Sequence, residues 1–207
     1  QSQDKQFDAY SREPKVEREV AYFLSNIDSI ESADDLLKDW RLKGFVLQSF
    51  GLEDFMQSNA LMKRILTDDL DGEAPTAYSM RDPRFQEIAE TLRLDKGVGT
   101  IKSSAVTGEL ITRYLTNGFE TRIGEQNISA RQAMYFQRNI STKSNIFQVM
   151  SDPTLREVVT VAAGLPKEVA LLDFDKQVSM IEAKFDISKV SDSKYVDRTI
   201  NQFLIRK

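Results

Sequence analysis

Apolar residues recur along this chain at helical spacing, and strand-like alternation is nowhere convincing. Val16, Val20, Phe23, Leu24 and Ile27 stand at i, i+4, i+7, i+8 and i+11, one stripe of an amphipathic helix. Ser32 followed by Asp35 has the form of a capping box, in which hydroxyl and carboxylate satisfy the free N–H groups of a first turn. The helix opened there is expected to cover 33–50 through Leu36, Leu37, Trp40, Val46, Leu47 and Phe50. It should stop at Gly51, which adopts the left-handed C′ conformation at little cost. Because this segment is apolar on several sides, Trp40 is expected to pack inward. A third helix is predicted over 53–67, with Phe55, Met62, Ile65 and Leu66 inward, and 68–81 reads as a polar loop. Asp82-Pro83 then supplies an N-cap and a proline at N1, and Phe85, Ile88, Ala89 and Leu92 form the next stripe. Glycines break the pattern at 95–100, and a further helix carries Leu110, Ile111, Tyr114, Leu115 and Phe119.

The pattern then repeats. Arg18, Tyr22, Phe23, Asn26 and Ile27 recur 113 positions later as Arg131, Tyr135, Phe136, Asn139 and Ile140. The same offset pairs Asp39 with Asp152, Leu42 with Leu155, Val46 with Val159, Gly51 with Gly164 and Leu52 with Leu165. That makes ten identities across 18–54, where average residue usage gives roughly two or three. With slipped spacing, Asp82-Pro83-Arg84-Phe85 finds an echo in Asp192-Ser193-Lys194-Tyr195. Ser129 with Gln132 is expected to cap the opening helix of the second copy, and Asp152-Pro153 to start a helix ending at Gly164. Two last helices are predicted at about 175–185 and 192–204. The expected fold is all-α and multihelical: one domain of two similar repeats, about 16–94 and 129–205, packed together and joined by a bridge at about 95–128. Segments 16–67 and 129–185 are expected to superpose.

Composition narrows the chemistry more than it names any. With 207 residues, 41% hydrophobic and 29% charged, the chain has the balance of an ordinary globular protein and length enough for a real core. Neither cysteine nor histidine occurs. Disulfides, thiolate metal sites and the usual base of serine and cysteine hydrolases are therefore absent, leaving carboxylate pairs, lysine bases and magnesium sites. No tightly bound transition metal is expected. A net charge of −4 argues against nucleic acid as a partner. The charge is uneven, −7 over residues 1–126 and +3 over 127–207, which reads either as drift between halves or as two surfaces that attract. No apolar run is long enough to span a membrane, and the first fifteen residues lack the stretch of a signal peptide. The chain begins at Gln1, so its start decides little about targeting.

Each candidate motif has an ordinary explanation beside it. Asp68-Asp69-Leu70-Asp71-Gly72-Glu73 suggests a calcium loop, but aligning Gly72 to the required glycine puts Thr67 and Tyr78 at ligand positions that need carboxylates. A solvated helix-end loop is expected there, with room only for loosely held magnesium or calcium. Gly97-Val98-Gly99-Thr100 lacks the third glycine and the preceding strand of a nucleotide-binding loop, and reads as a turn. Asp173 and Asp175 form a close carboxylate pair of the kind acid–base catalysis uses, yet Asp175 stands where a helix cap is wanted. Asn127-Ile128-Ser129 and Asn139-Ile140-Ser141 fit a glycosylation pattern without a secretory route. Tyr22-Phe23 and Tyr135-Phe136 read as core, and Asn26 and Asn139 as helix-end hydrogen bonders.

Taken in order, Tyr22-Phe23, Asp39-Trp40-Arg41-Leu42, Phe50-Gly51-Leu52, Asp82-Pro83-Arg84-Phe85, Phe119-Glu120, Gly164-Leu165-Pro166 and Leu172-Asp173-Phe174-Asp175-Lys176-Gln177 carry a resemblance. From about Phe7 to Leu204 the chain resembles the alphaproteobacterial, multihelical family known as domain of unknown function twelve-seventeen. The resemblance implies an all-α fold and, more loosely, a link to the flagellum, because genes of this family are often found among flagellar genes. A rod-protein label given to some members does not transfer, since the Asn-rich terminal motif and heptad-patterned ends of rod proteins are missing here. The resemblance brings no catalytic, cofactor-binding or metal residues, and no cofactor is expected. The expectation is a non-catalytic helical interaction or structural protein that binds a protein partner or itself. It is cytoplasmic by default, with a flagellar export route left open. The alternative is a small-ligand-binding protein or carboxylate-dependent hydrolase with a cleft between the repeats. An exposed apolar patch would favour the first, and a closed pocket lined by charges the second.

Overall fold

Fourteen α-helices and six short 3-10 turns make up the described residues, 3–207, of this computed structural model, and no strand occurs among them. The chain divides into two compact units, the first ending at Phe119 and the second spanning Glu120–Lys207. The first holds α1 (Gln3–Ser11), α2 (Pro14–Asn26), α3 (Ala33–Lys38), α4 (Trp40–Ser49), α5 (Asn59–Thr67), α6 (Thr76–Ser79), α7 (Pro83–Leu92) and α8 (Gly99–Lys102). The division falls inside α9 (Ser104–Gln126), so the bridge expected at 95–128 is shared between the units. The second unit continues with α10 (Ile128–Asn139), α11 (Ile146–Ser151), α12 (Pro153–Ala162), α13 (Phe174–Glu182) and α14 (Ser193–Arg206).

The helix expected over 33–50 is two helices, broken at Asp39. Asp39 is the C-cap of α3 and the N-cap of α4, with extended backbone (φ −76°, ψ 104°) and a carboxylate that accepts from the amides of Arg41 and Leu42, both at 2.9 Å. The break decides where Trp40 points. At the first position of α4 it faces outward and is 58% exposed, so the expectation of a buried tryptophan is overturned. In the second unit Pro153 occupies the matching place after Asp152, and it too is exposed. A first-turn position next to a cap turns to solvent whether it carries proline or tryptophan. Further along, the helix expected over 53–67 is a 3-10 turn, Glu53–Phe55, followed by α5. Ser129 does not cap α10, because the Asn127 side chain does so by accepting from the Ala130 amide at 3.0 Å.

Around these breaks the two units run in parallel at the offset of 113. α3 and α11, α4 and α12, and the 3-10 turns Ile27–Ser29 and Ile140–Thr142 begin and end at matching positions. Tyr22 donates to Asp39 Oδ2 at 2.8 Å, and Tyr135 to Asp152 Oδ2 at 2.7 Å. Asn26 and Asn139 each donate from Nδ2 to the Tyr22 and Tyr135 carbonyls, both at 2.8 Å. The capping box appears twice: Ser32 accepts from the Asp35 amide and Asp35 from the Glu31 amide, while Asn145 accepts from the Gln148 amide and Gln148 from the Ser144 amide. Gly51 (φ 66°) and Gly164 (φ 65°) end the parallel in the left-handed region, where a side chain is strained.

Beyond the glycines the units part. α7 packs on α5 and α6, whereas α14, which shares its N-terminal Asp cap, packs on α12 and α10. In the first core Phe23, Phe45 and Tyr114 stack with centroids 4.3 and 4.0 Å apart, and burial pushes the Tyr114 hydroxyl up to about 12. Ser49 Oγ donates to the Phe45 and Leu110 carbonyls, and Asn117 donates to the Gln48 and Ser49 carbonyls, seating α9 on α4. The second core gathers Phe136, Ile140, Val149, Leu155, Val158, Ile181 and Phe203.

The tyrosine–aspartate bond predicts a graded mutational effect. Asp152 is only 3% exposed, so Tyr135→Phe leaves a buried carboxylate oxygen without its donor and should cost about 1–3 kcal/mol in urea unfolding. Tyr22→Phe, next to the more accessible Asp39, should cost less. The single tryptophan gives a second check: native emission should lie close to that of the unfolded chain and be readily quenched by acrylamide.

Candidate interaction surface

The loop that follows the second glycine is longer than its counterpart. α5 begins eight residues after Gly51, and α13 begins ten residues after Gly164. The longer loop runs through the 3-10 turn Lys167–Leu171, with Gln177 Nε2 donating to the Leu172 carbonyl at 2.7 Å. It leaves Leu171 85% exposed, with Leu172 and Phe174 beside it. Phe147 of α11 adds its ring 6.2 Å from that of Phe174, and the two are 55% and 44% exposed. Four large apolar side chains thus form an open cluster on one unit, the kind of surface that marks an interaction site. Sequence reasoning passed over them. The available signal was Leu171-Leu172 in a segment that follows Gly164-Leu165-Pro166 and precedes a helix start, where apolar residues have no stripe to join.

A groove of about 510 Å³ opens between α12, the same loop and the end of α14. Arg156, Lys167, Arg206 and Lys207 line it against a single carboxylate, Glu157, which pairs with Lys207. Its apolar part is Val161, Leu165, Val169 and Ala170. Arg206 Nη1 donates to the Ala162 carbonyl, and Arg156 Nη1 to the Met150 carbonyl at 3.2 Å. Asp173 and Asp175 are not among the lining residues; Asp173 is exposed at the N-cap of α13, pairing with Lys176 at 3.5 Å, and Asp175 lies in the first turn. The cap is therefore at Asp173, with no side-chain cap bond, and not at Asp175.

In the first unit the acidic loop is neutralised from within. Lys96 Nζ lies 2.8 Å from Asp69, 3.1 Å from Asp71 and 3.7 Å from Asp95, and Arg93 pairs with Asp95 at 3.0 Å and Asp71 at 3.2 Å. These three carboxylates converge as metal ligands would, but an ammonium already stands among them. Asp68 turns the other way and accepts from the amide and hydroxyl of Thr76. Hydrogen bonds from Lys96 hold the Asp69 and Asp71 carboxyls below the usual aspartate range, and the same carboxylates raise Lys96. The remaining motifs serve structure. Gly97–Gly99 makes the turn into α8, Asn127 caps α10, Asn139 bonds back to Tyr135, and Phe23 and Phe136 lie in the cores.

No helix among the described residues is long and apolar enough to cross a membrane. Residues 49–196, well over half of the chain, match the model of a family described as Protein of unknown function (DUF1217). A crystal structure of an Agrobacterium tumefaciens protein from a structural genomics consortium is similar to the whole chain, with a TM-score of 0.87 and 28% identity over 100% of this chain and 88% of that one. Among curated proteins no match is found.

The loop cluster yields a pH test with a defined sign. Carboxyls depressed in the folded state stabilise above the unfolded aspartate value of about 4 and lose that contribution as pH falls through their lower folded values. Lys96→Ala should therefore destabilise the chain at neutral pH, and urea unfolding in increasingly acid buffer should bring variant and parent together.

Proposed function

The chain belongs to the family described as Protein of unknown function (DUF1217), and within it we propose a non-catalytic helical protein that works by binding a protein partner. The observation that carries the proposal is the open apolar cluster of Phe147, Leu171, Leu172 and Phe174. Full burial of such a side chain supplies about 1.5–3 kcal/mol, and the exposed share of each, from 40% at Leu172 to 85% at Leu171, is what a partner's surface would recover. The flagellar setting is part of the proposal through the family resemblance, with the cytoplasm as the default compartment. The ten identities at one offset, together with matching helix boundaries and tyrosine–aspartate bonds, support descent of the two units from a duplicated segment.

The test is a double variant, Phe147→Ser with Phe174→Ser. Both rings are about half exposed, so each substitution should cost about 1 kcal/mol and leave the fold intact. Affinity capture from cells, with partners identified by mass spectrometry, should recover a partner with the parent chain and lose it with the variant. Equal recovery by both would overturn the assignment of this surface.

A further inference from the structure

We propose that the groove on α12 receives an acidic peptide segment carrying an apolar side chain, contributed by a protein partner. This rests on the reading of the chain as a partner-binding protein and adds a second contact of defined chemistry.

Residues 120–207 hold 13 basic and 11 acidic side chains, a net +2. The four cations and one carboxylate of the groove alone amount to +3, so the rest of the unit is net acidic and the positive charge is gathered in one place. Arg156 and Arg206 each use Nη1 on a backbone carbonyl, which leaves guanidinium donors over, and Lys167 has no hydrogen bond or ion pair among the described residues. A guanidinium fork and an ammonium above an apolar floor select a carboxylate attached to something apolar.

In the first unit the same helix face is covered. At the offset of 113, Arg156, Glu157 and Thr160 correspond to Lys43, Gly44 and Leu47. Lys43 and Leu47 are buried, and Lys43 Nζ donates to the Met56 carbonyl and to Asn59 Oδ1, both at 2.8 Å. The Met56 methyl lies 3.6 Å from where a Gly44 Cβ would stand. The segment Glu53-Asp54-Phe55-Met56 thus packs its end over this face, giving the cation oxygen acceptors and the helix an apolar cover. In the second unit Val169 takes the place of Met56 and is buried, but Arg156 is exposed and the face opens into the groove. A segment from outside meets there the needs that the first unit meets internally.

The experiment uses isotope-labelled full-length chain and two probes, acetyl-Glu-Asp-Phe-Met-amide and its Gln-Asn-Phe-Met counterpart, followed by NMR titration. The acidic probe should shift amides of 156–170 and 206–207 saturably and more weakly as salt rises. The uncharged probe, and the acidic probe with Lys167→Glu, should bind roughly tenfold less tightly. Lys167 is exposed and unpaired, so that variant keeps the fold, and Arg156→Gln gives an independent second removal. Absence of groove shifts at millimolar probe, equal binding of both probes, or shifts elsewhere would overturn the proposal. Loss of partner capture in the Phe147 and Phe174 variant with a silent groove removes this inference alone. A responsive groove with unchanged capture removes the apolar-cluster assignment instead.

Discussion

Two aspartates, Asp39 and Asp152, each close one helix and open the next, and the geometry of both units depends on them. Abutting helix ends leave amides and carbonyls without partners, and a side chain that accepts two amides at once makes so sharp a junction tolerable. The remaining carboxylate oxygen takes the tyrosine hydroxyl of the preceding long helix, so one side chain ties three helices together. Burial makes this bonding obligatory in the second unit. A carboxylate as enclosed as Asp152 is stable only with its oxygens fully served, and it accepts from two amides and one hydroxyl.

From that junction the packing follows. The residue after the aspartate turns outward, and those two and five or six further on turn inward, which places Leu42, Phe45 and Val46 in one core and Leu155, Val158 and Val159 in the other. The parallel between units holds as far as the left-handed glycines and then gives way to different neighbours for α7 and α14. Loop length explains the change in surface. Two added residues cost little in closure entropy, and the longer connection carries Leu171, Leu172 and Lys167 as exposed side chains.

Electrostatics separates the units in kind as well as in sign. The carboxylates around Asp69 and Asp71 are answered by Arg93 and Lys96 within the same loops, whereas the cations of the groove have one carboxylate between them. Charge spent on internal pairs contributes little to distant encounter, while unpaired charge in a concave surface draws an oppositely charged partner. The sum over each half of the sequence conceals this, because it counts paired and unpaired groups alike.

The sequence by itself determined the all-α class and most of the helix caps, because these depend on local periodicity and on side chains within a few residues. Asp82, Asp152 and Asp192 cap as their positions indicate, and Gly51 and Gly164 stop their helices. Where a local rule was applied across a hidden break it failed. Spacing alone places Trp40 on a continuous helix, although Pro153 at the matching place signals a helix start. Only the tertiary structure decided which apolar residues stay in water and which cations share a groove. Leu171, Phe174 and Phe147 come from separate elements, as do Arg156, Lys167 and Arg206, and their meeting depends on how a loop lies over a helix. That placement is set by long-range packing, which hydrophobic spacing along the chain does not encode.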